Sequence, residues 1–229
     1  LSKRDGAMDV MDYKNEGYLP EALLNFLVRL GWSNGDQEIF SMEDMLELFD
    51  PSNINKSASA YNAEKLLWLN SEYIKAVSND RLIEELKFFD IDLSHHPKRT
   101  ELLDLSKQRA QTLVEMKKSI TDILDVPSFY EESGVKKFVK EDTKAFLEKY
   151  INLLEKNKDD LYDVTKVEDI TKPFIAENGL KFPQLFQPIR IALTGGTQAP
   201  SVYDIIAILG FNEVSSRLET ALKRNFQNT

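Results

Sequence analysis

Residues 20–31 read Pro-Glu-Ala-Leu-Leu-Asn-Phe-Leu-Val-Arg-Leu-Gly, and this stretch decides the fold class. Its four leucines fall at helical spacing on one stripe: Leu23, Leu24, Leu27 and Leu30. Pro20 suits the first turn of a helix, and Gly31 is the residue type that most often follows a helix C-terminus. The stretch therefore predicts an amphipathic α-helix with defined ends.

The same periodicity recurs along most of the chain. Ser41, followed three residues later by Asp44, forms a capping-box-like pattern that indicates a helix starting at 42. The predicted helices span 42–49, 63–77, 80–89, 98–116, 143–156, 166–177, 184–193, 201–209 and 213–226. Alternating strand patterns are weak. The sequence therefore predicts an all-α protein.

Composition excludes several classes of protein. The chain has 229 residues, a formal net charge of −9 and no cysteine, which rules out disulfide scaffolds, Cys-ligated metals and thiol catalysis. No apolar run approaches the roughly 18 residues of a membrane-spanning helix. Only 9 Gly and 8 Pro argue against sandwiches, barrels and Gly-rich nucleotide folds. Because Leu1 is not an initiator Met, we expect a piece of a longer soluble, intracellular protein.

The negative charge is spread unevenly. Residues 1–97 carry 9 basic and 18 acidic side chains, whereas residues 98–140 carry 9 and 7. Affinity for polyanions comes from Lys and Arg side chains that release counterions, so the net charge argues against non-specific nucleic-acid binding. A specific RNA surface confined to the middle of the chain is compatible with it.

Arg109 lies within the predicted 98–116 helix, at the centre of an apolar stripe. The stripe is formed by Leu102, Leu105, Leu113, Met116 and Ile120. An unpaired guanidinium would be costly there. Either the arginine pairs with a carboxylate of another helix or extends to the stripe's edge, or the stripe opens into a cleft where the arginine reaches an anion or a base.

Arg190 is the only charged residue between Lys181 and Asp204. Downstream, residues 194–200 read Thr-Gly-Gly-Thr-Gln-Ala-Pro, and a helix is predicted from Ser201. An arginine beside a loop rich in main-chain N–H groups suits splayed RNA bases and phosphates. The alternative is an ordinary helix–turn–helix with a glycine cap. The loop is not a Walker A sequence, because the Gly-Lys-Ser/Thr core is missing.

Other polar clusters predict little chemistry. Residues 1–6, Leu-Ser-Lys-Arg-Asp-Gly, place a serine beside two cations, which fits either phosphate binding or a flexible cationic terminus. His95 and His96 lack a third His or Cys, so they indicate a solvated turn rather than a metal site. No Ser-His-Asp or paired-carboxylate arrangement predicts catalysis within this chain.

Read together, several segments resemble bacterial glutamyl-tRNA synthetase, a class I aminoacyl-tRNA synthetase. Residues 1–4, Leu-Ser-Lys-Arg, look like the end of its KMSKS-type motif. Residues 17–32 and 40–70, the latter with Asn-Lys-Ser at 55–57, are similar to the segment that follows that motif. Residues 187–195, Gln-Pro-Ile-Arg-Ile-Ala-Leu-Thr-Gly, and 207–210 resemble the family's anticodon-binding region.

The resemblance implies roles for particular residues. Ser2, Lys3 and Arg4 would belong to the ATP site, where the lysine contacts the phosphates. Arg109, which precedes Thr-Leu-Val-Glu at 112–115, would read the third anticodon base. The anticodon pocket would further contain Gln187, Arg190, Thr194, Gly195, Ala199 and Val202. A bidentate guanidinium contact contributes roughly 1–3 kcal/mol of base discrimination.

The resemblance also implies an organisation and a function. A stem-contact module would occupy 1–77, and an α-helical anticodon-binding domain would follow as two subdomains, 78–140 and 141–229. The complete enzyme would attach glutamate to tRNA(Glu) in the cytoplasm with ATP and Mg²⁺, as a monomer without DNA or membrane partners. The catalytic domain with its HIGH motif would precede Leu1. We therefore expect the chain alone to bind tRNA weakly and to be inactive.

Two alternatives remain open at the level of sequence. The first keeps the family but changes the substrate, since some bacteria carry a second such enzyme that charges tRNA(Gln) with glutamate. The second is a helical protein-interaction module without RNA binding, which the acidic N-terminal part would suit. Salt-dependent tRNA binding is expected for both synthetase hypotheses and not for the protein-interaction module, so it distinguishes the second alternative.

Overall fold

The computed structural model describes residues 9–54 and 61–228. Within these ranges the chain is helical and contains no β-strand, so the all-α prediction is confirmed. The α-helices are α1 (Val10–Asn15), α2 (Pro20–Gly31), α3 (Met42–Leu48), α4 (Ala63–Ala76), α5 (Asn79–Lys87), α6 (Arg99–Lys107), α7 (Leu113–Leu124), α8 (Glu132–Phe138), α9 (Thr143–Lys156), α10 (Val164–Glu177), α11 (Phe182–Thr194) and α12 (Val202–Lys223). Short 3₁₀ turns lie at Pro51–Asn53 and Lys158–Asp160.

The chain forms two compact units that divide within α7. The first extends to Lys118 and the second begins at Ser119. The three predicted modules, 1–77, 78–140 and 141–229, stay a prediction.

The start of α3 follows the predicted capping box. The Asp44 main-chain N–H donates to Ser41 Oγ at 3.0 Å, and the Ser41 N–H donates to the Asp44 carboxylate at 2.9 Å. These bonds satisfy two donors that a helix N-terminus otherwise leaves open.

Helix α2 confirms the opening prediction, but only part of the leucine stripe packs against the core. Leu23 and Phe26 face the core of the first unit, where they cluster with Tyr13, Leu66 and Leu69. Leu24 and Leu27 are 37% and 38% exposed. The two exposed leucines line a surface cavity of about 460 Å³ instead. The stripe prediction is therefore wrong for them, because Phe26 provides more apolar area to bury on the adjacent side of the helix.

A buried asparagine connects three segments of the first unit. Asn70 on α4 accepts a hydrogen bond from the Leu19 N–H at 2.8 Å. Its amide donates to the carbonyl oxygens of Gly17, at 3.2 Å, and Gln111, at 2.6 Å. Because the side chain is fully buried, these bonds replace those that water would make.

The predicted 98–116 helix is wrong, since the structure has two helices there, α6 and α7. Thr112 caps α7 by accepting the Glu115 N–H at 3.2 Å, and the Glu115 carboxylate accepts the Gln111 N–H at 2.8 Å. This Thr-x-x-Glu pattern is a helix-start signal that the continuous apolar stripe obscured. The break places Ala110 in the core and moves Arg109 to a turn.

In the second unit, α12 packs against α9, α10 and α11. The two predicted helices 201–209 and 213–226 are joined in α12, which bends at Gly210, where φ is +71°. A Cβ at Gly210 would lie 2.8 Å from the Tyr162 ring. Both the backbone conformation and the close ring therefore require glycine at the bend.

Candidate nucleic-acid interface

The candidate site is built at the C-terminal end of α11. The helix carries a proline in its first turn and is capped by Gly195, whose φ of +81° is the left-handed cap conformation. A Cβ at this position would also lie 2.7 Å from the Phe129 carbonyl oxygen. Glycine is therefore required on two counts, and it fixes the direction in which the loop leaves the helix.

Six of the seven predicted anticodon residues lie within 187–202, on α11, the loop and the start of α12. Four of them are half-buried: Gln187, Arg190, Thr194 and Ala199. Gly195 and Val202 are buried. The half-buried side chains keep part of their surface exposed, whereas Val202 packs in the core.

Arg190 is held by the loop that follows its own helix. Its Nη2 donates to the Pro200 carbonyl oxygen at 3.3 Å. One turn further along α11, Thr194 Oγ1 donates to the Arg190 carbonyl at 2.9 Å. The guanidinium is thus tied to the loop near the start of α12, and its contact with a base or phosphate stays a prediction.

Gln187 lies one turn before Arg190 on α11. Its side-chain oxygen is buried and accepts no hydrogen bond within the described part of the chain. A buried acceptor without a donor is costly in the absence of a ligand or water. Gln187 and Arg190 therefore place an unsatisfied buried acceptor and a set of donors one turn apart on α11, and a nucleobase edge pairs with groups of these two kinds.

The loop's main-chain N–H groups are partly occupied, which alters the prediction made for them. The Glu131 carboxylate accepts the Thr197 N–H at 2.9 Å and the Thr197 hydroxyl at 2.7 Å. A hydrogen bond from the Ser133 hydroxyl, together with these two from Thr197, lowers the pKa of Glu131. The Thr197 N–H, which the sequence suggested for phosphate, already binds an anionic side chain of the same unit.

The sequence did not single out Arg217, which is 2% exposed on α12. Its guanidinium donates to four main-chain carbonyls, at 2.7–2.9 Å, those of Ile123, Leu124, Asp125 and Leu193. Its Nε contacts Glu213 one turn before it, at 2.7 Å. Arg217 therefore caps the C-terminal ends of α7 and α11, and α11 is the helix that carries Arg190.

Arg109 lies in the first unit, exposed in the turn between α6 and α7. The expectation of a guanidinium on the apolar face of one helix is wrong, because the helix breaks there. The exposed side chain lies outside the core of the first unit. Its assignment to the third anticodon base stays a prediction.

The remaining predicted sites are placed as follows. Ser2, Lys3 and Arg4 lie outside the described residues, as do residues 55–57. His96 follows a turn, its Nδ1 accepts the Lys98 N–H at 3.1 Å, and burial lowers its pKa. In the described ranges, no group of three or more His, Asp or Glu side chains is arranged to hold a metal ion. None of the described helices combines the length and apolar character needed to cross a membrane.

Comparison with protein families assigns the chain to a class. Residues 54–222 match the anticodon binding domain family, which includes the whole of the 187–202 region. Residues 1–68 match the catalytic domain of the class I tRNA synthetases for E and Q. The chain therefore belongs to the anticodon binding domain family.

The relatives make the class more particular. Glutamate–tRNA ligase 1 of Aliarcobacter butzleri is 81% identical over 229 residues, which is 100% of this chain and 49% of the relative. The Campylobacter hominis ligase of the same name is 49% identical over 97% of this chain and 48% of its own length. A crystal structure of a glutamate tRNA ligase from Elizabethkingia meningosepticum matches with a TM-score of 0.85 and 26% identity, over 97% of this chain and 48% of that one. The resemblance to glutamyl-tRNA synthetase is confirmed, and the chain spans about half the length of these relatives.

Proposed function

We propose that the chain is the tRNA-binding part of a glutamyl-tRNA synthetase that attaches glutamate to tRNA(Glu) in an ATP-dependent, two-step reaction. The observation that carries this proposal is the anticodon binding domain match over residues 54–222, in a chain 81% identical to a glutamate–tRNA ligase. The geometry of the 187–202 region supports it, because Arg190 and Gln187 lie one turn apart on α11 with donors and a buried acceptor.

In this proposal the second unit binds the anticodon through α11 and the following loop. Arg190 offers several N–H donors to a splayed base or its phosphate, and Gln187 offers a buried carbonyl oxygen. Arg109 in the first unit contacts the third anticodon base. With a net charge of −9, affinity depends on a few placed arginines rather than on a broad basic surface.

The complete enzyme would use ATP and Mg²⁺. Ser2, Lys3 and Arg4 are the residues of this chain proposed to contact ATP, with Lys3 at the phosphates. The described residues contain no acidic cluster that fits Mg²⁺, so we assign no metal ligand to them. We propose further that the enzyme acts as a monomer in the cytoplasm, with tRNA(Glu) as its nucleic-acid partner.

Fluorescence anisotropy tests the proposal with the full-length enzyme and with the 229-residue chain. The titrations use tRNA(Glu) and tRNA(Gln) transcripts, each with its native and a changed anticodon, across a salt series. We expect tRNA(Glu) to bind more tightly than tRNA(Gln), and this preference to disappear when the anticodon is changed. The dissociation constant should rise with salt, because phosphate contacts release counterions.

The other outcomes have distinct meanings. Preference for tRNA(Gln) would assign the chain to the variant that charges tRNA(Gln) with glutamate. Absence of salt-dependent tRNA binding by the full-length enzyme would contradict the RNA-binding proposal and favour a protein-interaction role. Binding by the full-length enzyme but not by the shorter chain would mean that affinity requires the other half of the protein.

A further inference from the structure

The segment at 127–134 packs closely on the loop that follows α11. The Glu131 N–H donates to the Gly195 carbonyl at 2.7 Å. A Cβ at Gly134 would lie 2.5 Å from the Thr197 side chain. Two glycines, Gly134 and Gly195, thus allow the two stretches of backbone to approach each other.

Glu131 adds a side-chain clamp to this contact. One carboxylate oxygen accepts both donors of Thr197, the N–H at 2.9 Å and the hydroxyl at 2.7 Å. The other oxygen accepts the Ser133 hydroxyl at 2.6 Å. Three donors therefore converge on one carboxylate, and they favour its ionised form.

The clamping segment is itself anchored on its other side. The Tyr130 N–H donates to Asn228 Oδ1 at 2.6 Å, and Asn228 Nδ2 donates back to the Tyr130 carbonyl at 3.0 Å. The Tyr130 ring also packs against Phe226, with centroids 5.7 Å apart. Glu131 is therefore presented to the loop from a fixed position.

The clamp matters for the site because the same loop orients Arg190. Three residues after Thr197, the Pro200 carbonyl accepts the Arg190 guanidinium at 3.3 Å. Displacement of the loop at Thr197 would move this acceptor and with it the direction of the guanidinium. A loop fixed before binding also spares the complex the entropic cost of ordering it.

We infer that Glu131 is a positioning residue for anticodon recognition. Its carboxylate fixes the loop at Thr197 and, through the Pro200 carbonyl, aims Arg190 before tRNA binds. The inference rests on the proposed function. In this inference the loop is already ordered in the free protein and holds Arg190 in place. The Glu131 carboxylate accepts the Thr197 N–H, which a phosphate would otherwise bind.

The test compares Glu131→Ala, Glu131→Gln and Glu132→Ala in the full-length enzyme. Dissociation constants are measured for tRNA(Glu) with its native anticodon and with a changed anticodon. Glu131→Ala should lower the discrimination between them by about tenfold. Glu131→Gln should retain it, because the amide oxygen can accept both Thr197 donors while the amide nitrogen donates to Ser133. Glu132→Ala removes the same charge at the adjacent exposed position and should leave discrimination unchanged.

Thermal unfolding accompanies each variant so that loss of folding is recognised. If Glu131→Ala does not fold, Thr197→Val removes one of the two Thr197 donors and should give a smaller loss of discrimination. Unchanged discrimination in folded Glu131→Ala, or in Thr197→Val where that variant replaces it, would overturn the inference. An equal loss in Glu131→Gln and Glu131→Ala would also overturn it.

Failure of the inference is distinguishable from failure of the proposed function. If the wild-type enzyme binds tRNA(Glu) equally well with either anticodon, the proposed function fails and the inference fails with it. If the wild type and folded Glu131→Ala (or Thr197→Val in its place) discriminate equally well between the two anticodons, the inference is overturned and the proposed function stands.

Discussion

Arg217 Nη1 donates to the carbonyl oxygen of Leu193 at 2.7 Å, so a buried arginine of α12 caps the last turn of α11. Leu193 lies three residues after Arg190, the proposed base-contacting arginine. A second arginine, Arg217, therefore stabilises the helix that carries the candidate site. All of its guanidinium contacts given above are to residues of the second unit.

Arg217→Met should destabilise the protein by about 3–5 kcal/mol, because it leaves four main-chain carbonyls near 123–125 and 193 without their donor. Urea unfolding at neutral pH measures this loss. Glu213→Ala is the matched control, since it removes only the partly exposed partner of Nε and should cost about 1 kcal/mol or less. Equal losses for the two variants would contradict the capping role.

Asn70→Ala should destabilise the first unit by about 2–3 kcal/mol, because the Leu19 N–H and the Gly17 and Gln111 carbonyls would lose a buried partner. Asn62→Ala on the same helix is the control. Asn62 caps α4 from an exposed position, where loss of the cap costs about 1 kcal/mol. The midpoints and slopes of urea unfolding curves distinguish the two, and a smaller effect at Asn70 than at Asn62 would refute the prediction.

Arg190→Ala should weaken tRNA binding with every anticodon, and most strongly, about tenfold or more, with the native one, because by the proposal the guanidinium held by the loop reaches a splayed anticodon base or its phosphate. Anisotropy titrations with several anticodon variants measure the effect. Lys172→Ala removes a positive charge from an exposed ion pair in the same unit and should change the affinity little. If both variants lose affinity equally, the role of Arg190 is one of general charge only.

Arg109→Ala should mainly reduce discrimination at the third anticodon base, by about 1–3 kcal/mol. Since the side chain is exposed in a turn, its loss should leave the free energy of unfolding nearly unchanged. Arg99→Ala is a control in the same unit, at an exposed arginine whose guanidinium contacts the Ser94 carbonyl. Equal loss of affinity for every third base would remove Arg109 from base reading.

The sequence predicted most helices because their apolar periodicity and end signals agree. It failed at 98–116, where two local signals conflict. The apolar stripe continues through the break, whereas Thr112 and Glu115 start a new helix. The longer pattern was misleading because Ala110 is buried in the connection itself and preserves the apolar spacing.

The candidate site was partly predictable for a related reason. Arg190 and the glycine-containing loop are adjacent in sequence, so their association could be inferred locally. The carbonyl contacts of Arg217 and the Thr197 contact of Glu131 could not, since those carbonyls lie 24 to 94 residues from Arg217 and Thr197 lies 66 residues from Glu131. The carbonyl and N–H groups that they contact occur in almost every residue, so no residue type marks them in the sequence.

Acidification should separate the wild type from Glu131→Gln. Hydrogen bonds from Ser133 and Thr197 lower the pKa of Glu131 below the ordinary value of 4.5. A lowered folded-state pKa contributes stability that is present above the unfolded pKa and lost as pH falls through the folded one. The stability advantage of the wild type over Glu131→Gln should therefore be constant between about pH 7 and pH 5 and should shrink below about pH 4.5. Urea unfolding of both proteins across this range measures the difference in their free energies of unfolding. The other carboxylates are the same in both proteins, so their contributions cancel in this difference. Ser133→Ala removes one donor to the carboxylate and should reduce the pH-dependent part of this stability difference. If the stability difference between the wild type and Glu131→Gln stays constant at low pH, the clamp does not depend on the ionised carboxylate.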